Sequence, residues 1–152
     1  MDYTIRNAVP GDLDNLAELE SACFSLPWTR EQLRCELPDE RHEFLVAQGA
    51  DGALLGYIAM MCVLDEGDIS NVAVASEVRR SGIGRALVAQ MLRRARQRQL
   101  SFVTLEVREH NESAIALYEQ AGFFVVGRRR DYYERPREDA LLMTITFDKE
   151  EP

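Results

Sequence analysis

Apolar and polar positions along the chain repeat at two periods, and the switches between periods mark the elements. Residues Tyr3–Asn7 form a short candidate strand that Pro10-Gly11 stops. From Asp12 onward, Leu13, Leu16, Ala17, Leu19, Ala22 and Cys23 follow helical spacing until Pro27 breaks the run. Thr29-Arg30-Glu31-Gln32 reads as a capping box opening a second, short helix that ends before Pro38. Residues 44–47 and Leu54–Val63 are apolar strand candidates joined by a hairpin at Gly49-Ala50-Asp51-Gly52. Gly67 is read as the next turn, ahead of a strand over residues 68–74. After Gly82-Ile83-Gly84, the positions Ile83, Leu87, Val88, Met91, Leu92 and Ala95 define a helix with one face for a sheet and its arginines outward.

Phe102–Arg108 alternates cleanly, with Val103, Leu105 and Val107 on one face and Thr104, Glu106 and Arg108 on the other. Asn111 is placed to cap a helix carrying Ala114, Leu117, Tyr118 and Ala121, and Gly122 is placed to stop it. Two last strands, 123–126 and 140–147, are joined by a polar, arginine-rich stretch around Tyr132 and Tyr133. Helices separated by single strands predict an α/β chain whose mixed sheet contains at least one parallel crossover.

Composition changes little in this picture. A length of 152 residues fits one domain over 1–152, and 46% hydrophobic with 29% charged residues is ordinary for a globular chain. The net charge of −8 speaks against generic nucleic-acid binding and favours a basic partner. The run Arg93, Arg94, Arg96 and Arg98 reads as the solvated face of a helix. Cys23, Cys35 and Cys62 form neither a C-x-x-C pair nor an even disulfide framework, which fits a reducing compartment. The first twenty residues are acidic without an apolar core, and no apolar run approaches about 18 residues. The expectation is a cytoplasmic protein, away from membranes and without a metal site.

The segment 79–85 carries the first chemistry. Two glycines at the start of a helix let backbone N–H groups approach an anion, and Arg79, Arg80 and Arg85 add formal charge at the same end. Taken alone, the segment reads equally as a tight strand-to-helix turn with exposed arginines. A dinucleotide fingerprint fails because its third small position is Leu87 and the unit comes too late in the chain. No G-x-x-x-x-G-K-[ST] run exists either.

The pattern R-x-x-G-x-G from Arg79 to Gly84 resembles the acyl-CoA pyrophosphate signature of the GNAT acetyltransferase superfamily, and the order of elements resembles that fold over nearly the whole chain. More narrowly, Phe24-Ser25-Leu26-Pro27-Trp28-Thr29, Asn71-Val72-Ala73-Val74, Leu105-Glu106-Val107-Arg108, Ala116-Leu117-Tyr118-Glu119, Gly122-Phe123 and Arg137-Glu138-Asp139-Ala140 are similar to the RimI branch. Those bacterial enzymes acetylate the N-terminal alanine of a small-subunit ribosomal protein. Arg79 stands where many members have Gln, and Ser81 is a variable position. The resemblance implies a mixed, mostly antiparallel sheet flanked by helices, with acetyl-CoA as cosubstrate. It implies that Arg79, Arg80, Ser81, Gly82, Ile83, Gly84 and Arg85 hold the pyrophosphate, and that Val72, Ala73 and Val74 take the acetyl-pantetheine arm as a strand edge would.

Acetyl transfer needs a proton acceptor for the amine, and the resemblance implies Glu106; without it, Glu106 reads as a surface carboxylate paired with Arg108. The implied donor to the leaving sulfur is Tyr118, which equally reads as a core tyrosine whose hydroxyl emerges at the cleft. Asn111 is at once a plain cap and similar to a family residue that touches the cofactor. No Cys–His or Ser–His–Asp set supports a covalent acyl-enzyme, His110 reads as a loop residue, and direct transfer in a ternary complex is expected.

A peptide α-amine has a pKa of about 8 against about 10.4 for lysine, so a modest carboxylate base suits a chain terminus better. Trp28, Tyr132 and Tyr133 are candidates for walling a peptide slot, with ordinary packing as the alternative. An acidic enzyme is compatible with a basic ribosomal protein as substrate. The rival readings are acetylation of a small amine or of several protein N-termini, and a non-catalytic acyl-CoA-binding module.

Overall fold

The computed structural model describes residues 2–148. Among the described residues, seven strands make one mixed sheet: β1 Tyr3–Asn7, β2 His42–Gly49, β3 Leu54–Val63, β4 Glu66–Val74, β5 Phe102–Arg108, β6 Phe124–Tyr133 and β7 Glu138–Thr146. The helices are α1 Leu13–Cys23, α2 Arg30–Cys35, α3 Ile83–Gln97 and α4 Glu112–Ala121. Strand order is β1-β2-β3-β4-β5-β7-β6, every neighbouring pair antiparallel except β4 and β5. The single parallel pair requires a crossover, and α3 provides it.

Both faces of the sheet are covered, which explains why β2 and β3 read as nearly continuous apolar runs. Leu45, Ala47, Ile58 and Met60 point to the side of α3, where Leu87, Val88 and Met91 meet them. Phe44, Val46, Tyr57 and Ala59 point the other way, against Leu13, Leu16, Leu19 and Leu33 of α1 and α2. Thr29 caps α2 as its pattern predicts, its hydroxyl accepting from Gln32 N while the Gln32 amide oxygen accepts from Thr29 N.

Three readings from the pattern need correction. Gly67 is not a turn residue: the turn lies at Leu64 and Asp65, and Gly67 sits inside β4. A Cβ there would lie 2.9 Å from Leu100 Cδ1 and 3.0 Å from Met60 Sδ, so the residue is glycine for lack of space between layers. The stretch around Tyr132 and Tyr133 is strand, because β6 runs on to Tyr133 as an edge strand paired with β7. Its polarity misled because an edge strand has little to bury. The arginine run on α3 is only partly solvated: Arg94 and Arg98 both bond Glu43 on β2, and Arg96 stacks over Phe147 at 5.0 Å.

Candidate active site

β4 and β5 pair over only three positions, Glu66 with Phe102, Gly67 with Val103 and Asp68 with Thr104. Beyond them β4 stays with β3 as far as Val74, while β5 follows β7 as far as Arg108. In β4 the register skips Ser70, since Ala59 faces Asn71 and Met60 faces Ile69. Such a bulge bends the strand that carries it and raises its twist. The strands therefore splay, and the β5-facing edge of β4 is left with unpaired backbone groups, a template for an added extended chain. The gap opens into a cleft of about 1730 Å³. Every residue nominated above lines it except Ser81, whose hydroxyl donates to the Val78 carbonyl.

One end of the cleft is the glycine turn. Arg80 and Gly82 both have positive φ, 67° and 89°, which turns successive N–H groups toward one side as an anion nest does. Gly82 is the residue before α3 and offers no side-chain cap, so the first N–H groups of a fifteen-residue helix are left for a ligand. Gly84 lies against Leu117 and Val74, which seats the helix start between α4 and β4. Arg79 Nε bonds the Val74 carbonyl at 3.1 Å and Arg85 reaches Gln120 at 2.8 Å, so both guanidinium groups are anchored beside the turn.

Midway, the two walls bring titratable groups together. Glu106 points from β5 into the cleft, and its partner is Arg129 on β6, with Nε 3.3 Å from the carboxylate. Arg108, the partner that spacing offered, bonds Glu138 instead. Opposite stands Asp68, which sequence reasoning missed. It keeps solvent contact in the open cleft, but the surrounding concave wall and the charge of Glu106 push its carboxyl up to about 6. Tyr118 is 8% exposed, edge-on to Phe123, and burial pushes its phenol up to about 12. Asn111 Oδ1 accepts from Ala114 N at 3.2 Å, so the capping role is real and the side-chain NH₂ remains for the cleft.

The other end is walled by the 24–28 segment and by the β6–β7 hairpin. Trp28 packs on the α1–α2 core and also lines the cleft; Tyr132 and Tyr133 meet edge to face at 5.0 Å. Behind Trp28 lies a second group that sequence reasoning missed. Glu20, 1% exposed, accepts from Trp28 N at 2.9 Å, from Asn71 Nδ2 at 3.2 Å and from the Tyr57 hydroxyl. Burial raises the pKa of Glu20 and of Tyr57. The signal for it was present: Glu20 stands four residues after Leu16, a charged residue on the buried stripe of α1. Nothing local marks Asp68, since only the splay of β4 from β5 puts it in the cleft. His110 lies in the loop before α4 with its side chain 81% exposed.

A mixed sheet split at its parallel pair, with an anion nest at the start of the crossover helix, is the architecture of a single-domain GNAT-type α/β fold. The sequence model of the acetyltransferase (GNAT) family matches residues 13–123, and the chain belongs to that family of N-acetyltransferases. It is 32% identical over 144 residues to ribosomal protein bS18-alanine N-acetyltransferase of Escherichia coli strain K12, covering 93% of this chain and 96% of that one. The crystal structure of the ribosomal-protein-S18-alanine N-acetyltransferase from Escherichia coli superposes with a TM-score of 0.91 at 30% identity, over 99% of this chain and 97% of the other. Ard1 from Thermoplasma volcanium follows at 0.87 and 27% identity, over 98% and 100%. A Bacillus anthracis streptothricin acetyltransferase homologue solved with acetyl coenzyme A shares the fold, with a TM-score of 0.80 at 22% identity over 97% of this chain and 100% of that one.

No helix among the described residues is long and apolar enough to cross a membrane, and no group of His, Cys, Asp or Glu among them is arranged to hold a metal ion.

Proposed function

We propose that this enzyme transfers the acetyl group of acetyl-CoA to the N-terminal α-amine, alanine first, of a basic small-subunit ribosomal protein in the cytoplasm. The observation that carries this reading is the cleft itself, lined by Glu106 from β5 and Tyr118 from α4, with an anion nest at one end and aromatic side chains at the other. The names of the relatives above supply the ribosomal substrate. Cofactor residues fit the assignment physically: Gly82 at φ 89° has no Cβ to block the nest, and the edge of β4 over Val72, Ala73 and Val74, which β5 does not cover, suits an amide-bearing pantetheine arm.

In this reading the two carboxylates attract the cationic α-amine of the peptide. The Arg129–Glu106 contact is partly exposed, with Arg129 at 54%, and such a pair exchanges readily for another cation. Glu106 then accepts the proton, directly or through water, and Asp68 across the cleft keeps the local field negative. The backbone of β4 orients the thioester for attack. Tyr118 hydrogen-bonds the departing sulfur and passes it the phenolic proton as the C–S bond breaks, and the phenolate recovers a proton from solvent in the open cleft; burial keeps the phenol protonated until then.

Direct transfer is favoured because Cys23, the thiol lining the cleft, donates to the Val74 carbonyl, while His42 is paired with Asp39 and His110 with Glu109. The test is to incubate the protein with acetyl-CoA and a panel of N-terminal hexapeptides and to locate the acetyl group by mass spectrometry. Label on the α-amine of alanine-first peptides is expected; label confined to lysine side chains or to simple amines defeats the reading.

A further inference from the structure

Arg108 ends β5, and its guanidinium is spent entirely on the β6–β7 hairpin. Nη1 donates to Pro136 O at 2.9 Å and to Glu138 Oε1 at 3.1 Å, while Nη2 donates to Glu134 O at 3.0 Å. The same group stacks on Tyr133, 4.5 Å from the ring centroid. Glu138 is itself held, its other oxygen accepting from His110 N at 2.8 Å. The turn between Tyr133 and Glu138 is exposed throughout and buries no apolar side chain. Its other tether among the described residues is Ser25 Oγ, which donates to Arg135 O at 2.8 Å from the opposite side of the cleft.

A turn without a buried apolar anchor takes its position from its polar tethers. Here one planar fork satisfies two carbonyls, one carboxylate and one aromatic face together. A lysine ammonium lacks that fork geometry and cannot meet all four at once. Tyr133, Glu134, Arg135 and Pro136 all line the peptide end of the cleft, so whatever fixes this turn fixes that wall.

We propose that Arg108 is a positioning residue for the acceptor peptide: through Tyr133 and the 134–137 turn it holds the peptide-side wall in register with Glu106. This rests on the proposed function only in naming the acceptor; the tethering is a separate claim. The Arg108 guanidinium bonds the hairpin and not the glycine turn. Only its backbone carbonyl touches a cofactor candidate, accepting from Asn111 N at 3.0 Å, and a side-chain substitution leaves that bond in place. The acceptor and acetyl-CoA therefore respond differently to its loss.

Arg108→Ala and Arg108→Lys, each in the full chain, provide the test. In Arg108→Ala the peptide KM rises about tenfold or more, the loss of about 1.4 kcal/mol that such a factor represents, while the Kd for acetyl-CoA stays within about twofold. Backbone amides of residues 131–138 exchange faster, and millimolar guanidinium restores part of the peptide affinity. Arg108→Lys retains charge and stem, should fold if the alanine variant does not, and shows the same split more weakly. Equal losses for peptide and acetyl-CoA, or an unchanged peptide KM, overturn the proposal. If the unaltered enzyme acetylates no peptide α-amine, the acceptor assignment fails instead, and hydrogen exchange still decides the tether: unchanged protection over 131–138 in either variant sinks it.

Discussion

In the proposed mechanism Glu106 and Tyr118 share the proton work, and Asp68 sets the charge beside them. Glu106→Gln removes the acceptor without changing side-chain volume, so acetyl-CoA binding stays and kcat/KM falls by about two orders of magnitude, as does Tyr118→Phe. Calorimetric titration with acetyl-CoA beside a steady-state assay separates the two effects, and unchanged turnover in both variants removes the assigned roles. Asp68 adds a pH signature. Its folded pKa of about 6 lies above the usual carboxylate value, so the folded chain binds the extra proton between about 4 and 6. Ionisation of Asp68 therefore works against folding: its contribution to stability falls as pH rises through that window and stays low above it. Asp68→Asn should raise the melting temperature relative to the parent at pH 7, and the gap should close toward pH 4. A gap that widens on acidification contradicts the assignment.

At the level of elements, the start of α3 and the interior of β4 show glycine used for two different reasons. Gly82 supplies a left-handed conformation at φ 89° with open space around it, so Gly82→Ala strains the backbone without a clash. Distortion of the nest should weaken acetyl-CoA binding by about tenfold, at a stability cost near 1 kcal/mol. Gly67 is the converse case, with ordinary φ but no room. Gly67→Ala presses Leu100, Met60 and Val103 apart and should lower stability by about 1–3 kcal/mol while leaving acetyl-CoA affinity alone, as denaturant melts and binding titrations on one preparation would reveal. The β6–β7 hairpin is an element of a third kind, long and edge-exposed, held at its tip by Arg108.

For the molecule as a whole, the net charge of −8 has a kinetic consequence. An acidic surface with Asp68 and Glu106 in its cleft speeds the approach of a cationic peptide, and salt screens that attraction beyond a Debye length of about 10 Å at 0.1 M. Comparing two alanine-first peptides, one with basic and one with neutral following residues, kcat/KM should fall with ionic strength more steeply for the basic one. Parallel slopes would remove charge from the account of substrate choice.

Periodicity, capping and turn chemistry are local, and they were enough for most elements, though not for the reach of β6 or the place of the turn before β4. The capping box at Thr29, the cap at Asn111, the stop at Gly122 and the apolar stripe of α3 are all legible within a few residues. The family motifs nominated Glu106, Tyr118 and the 79–85 turn in the same way. Partners distant in the chain were not legible, because a strand's pattern states which face is buried and not which strand will lie beside it or in what register. Glu106 appeared to have Arg108 as its partner two residues away and instead meets Arg129 across β7, while Arg108 turns to Glu138. Asp68 became part of the site only because β4 leaves β5 at that residue, and Glu20 because α1 carries it to Trp28, Tyr57 and Asn71. The chain's local chemistry determined what the parts are; the splay of one pair of parallel strands decided which side chains face one another.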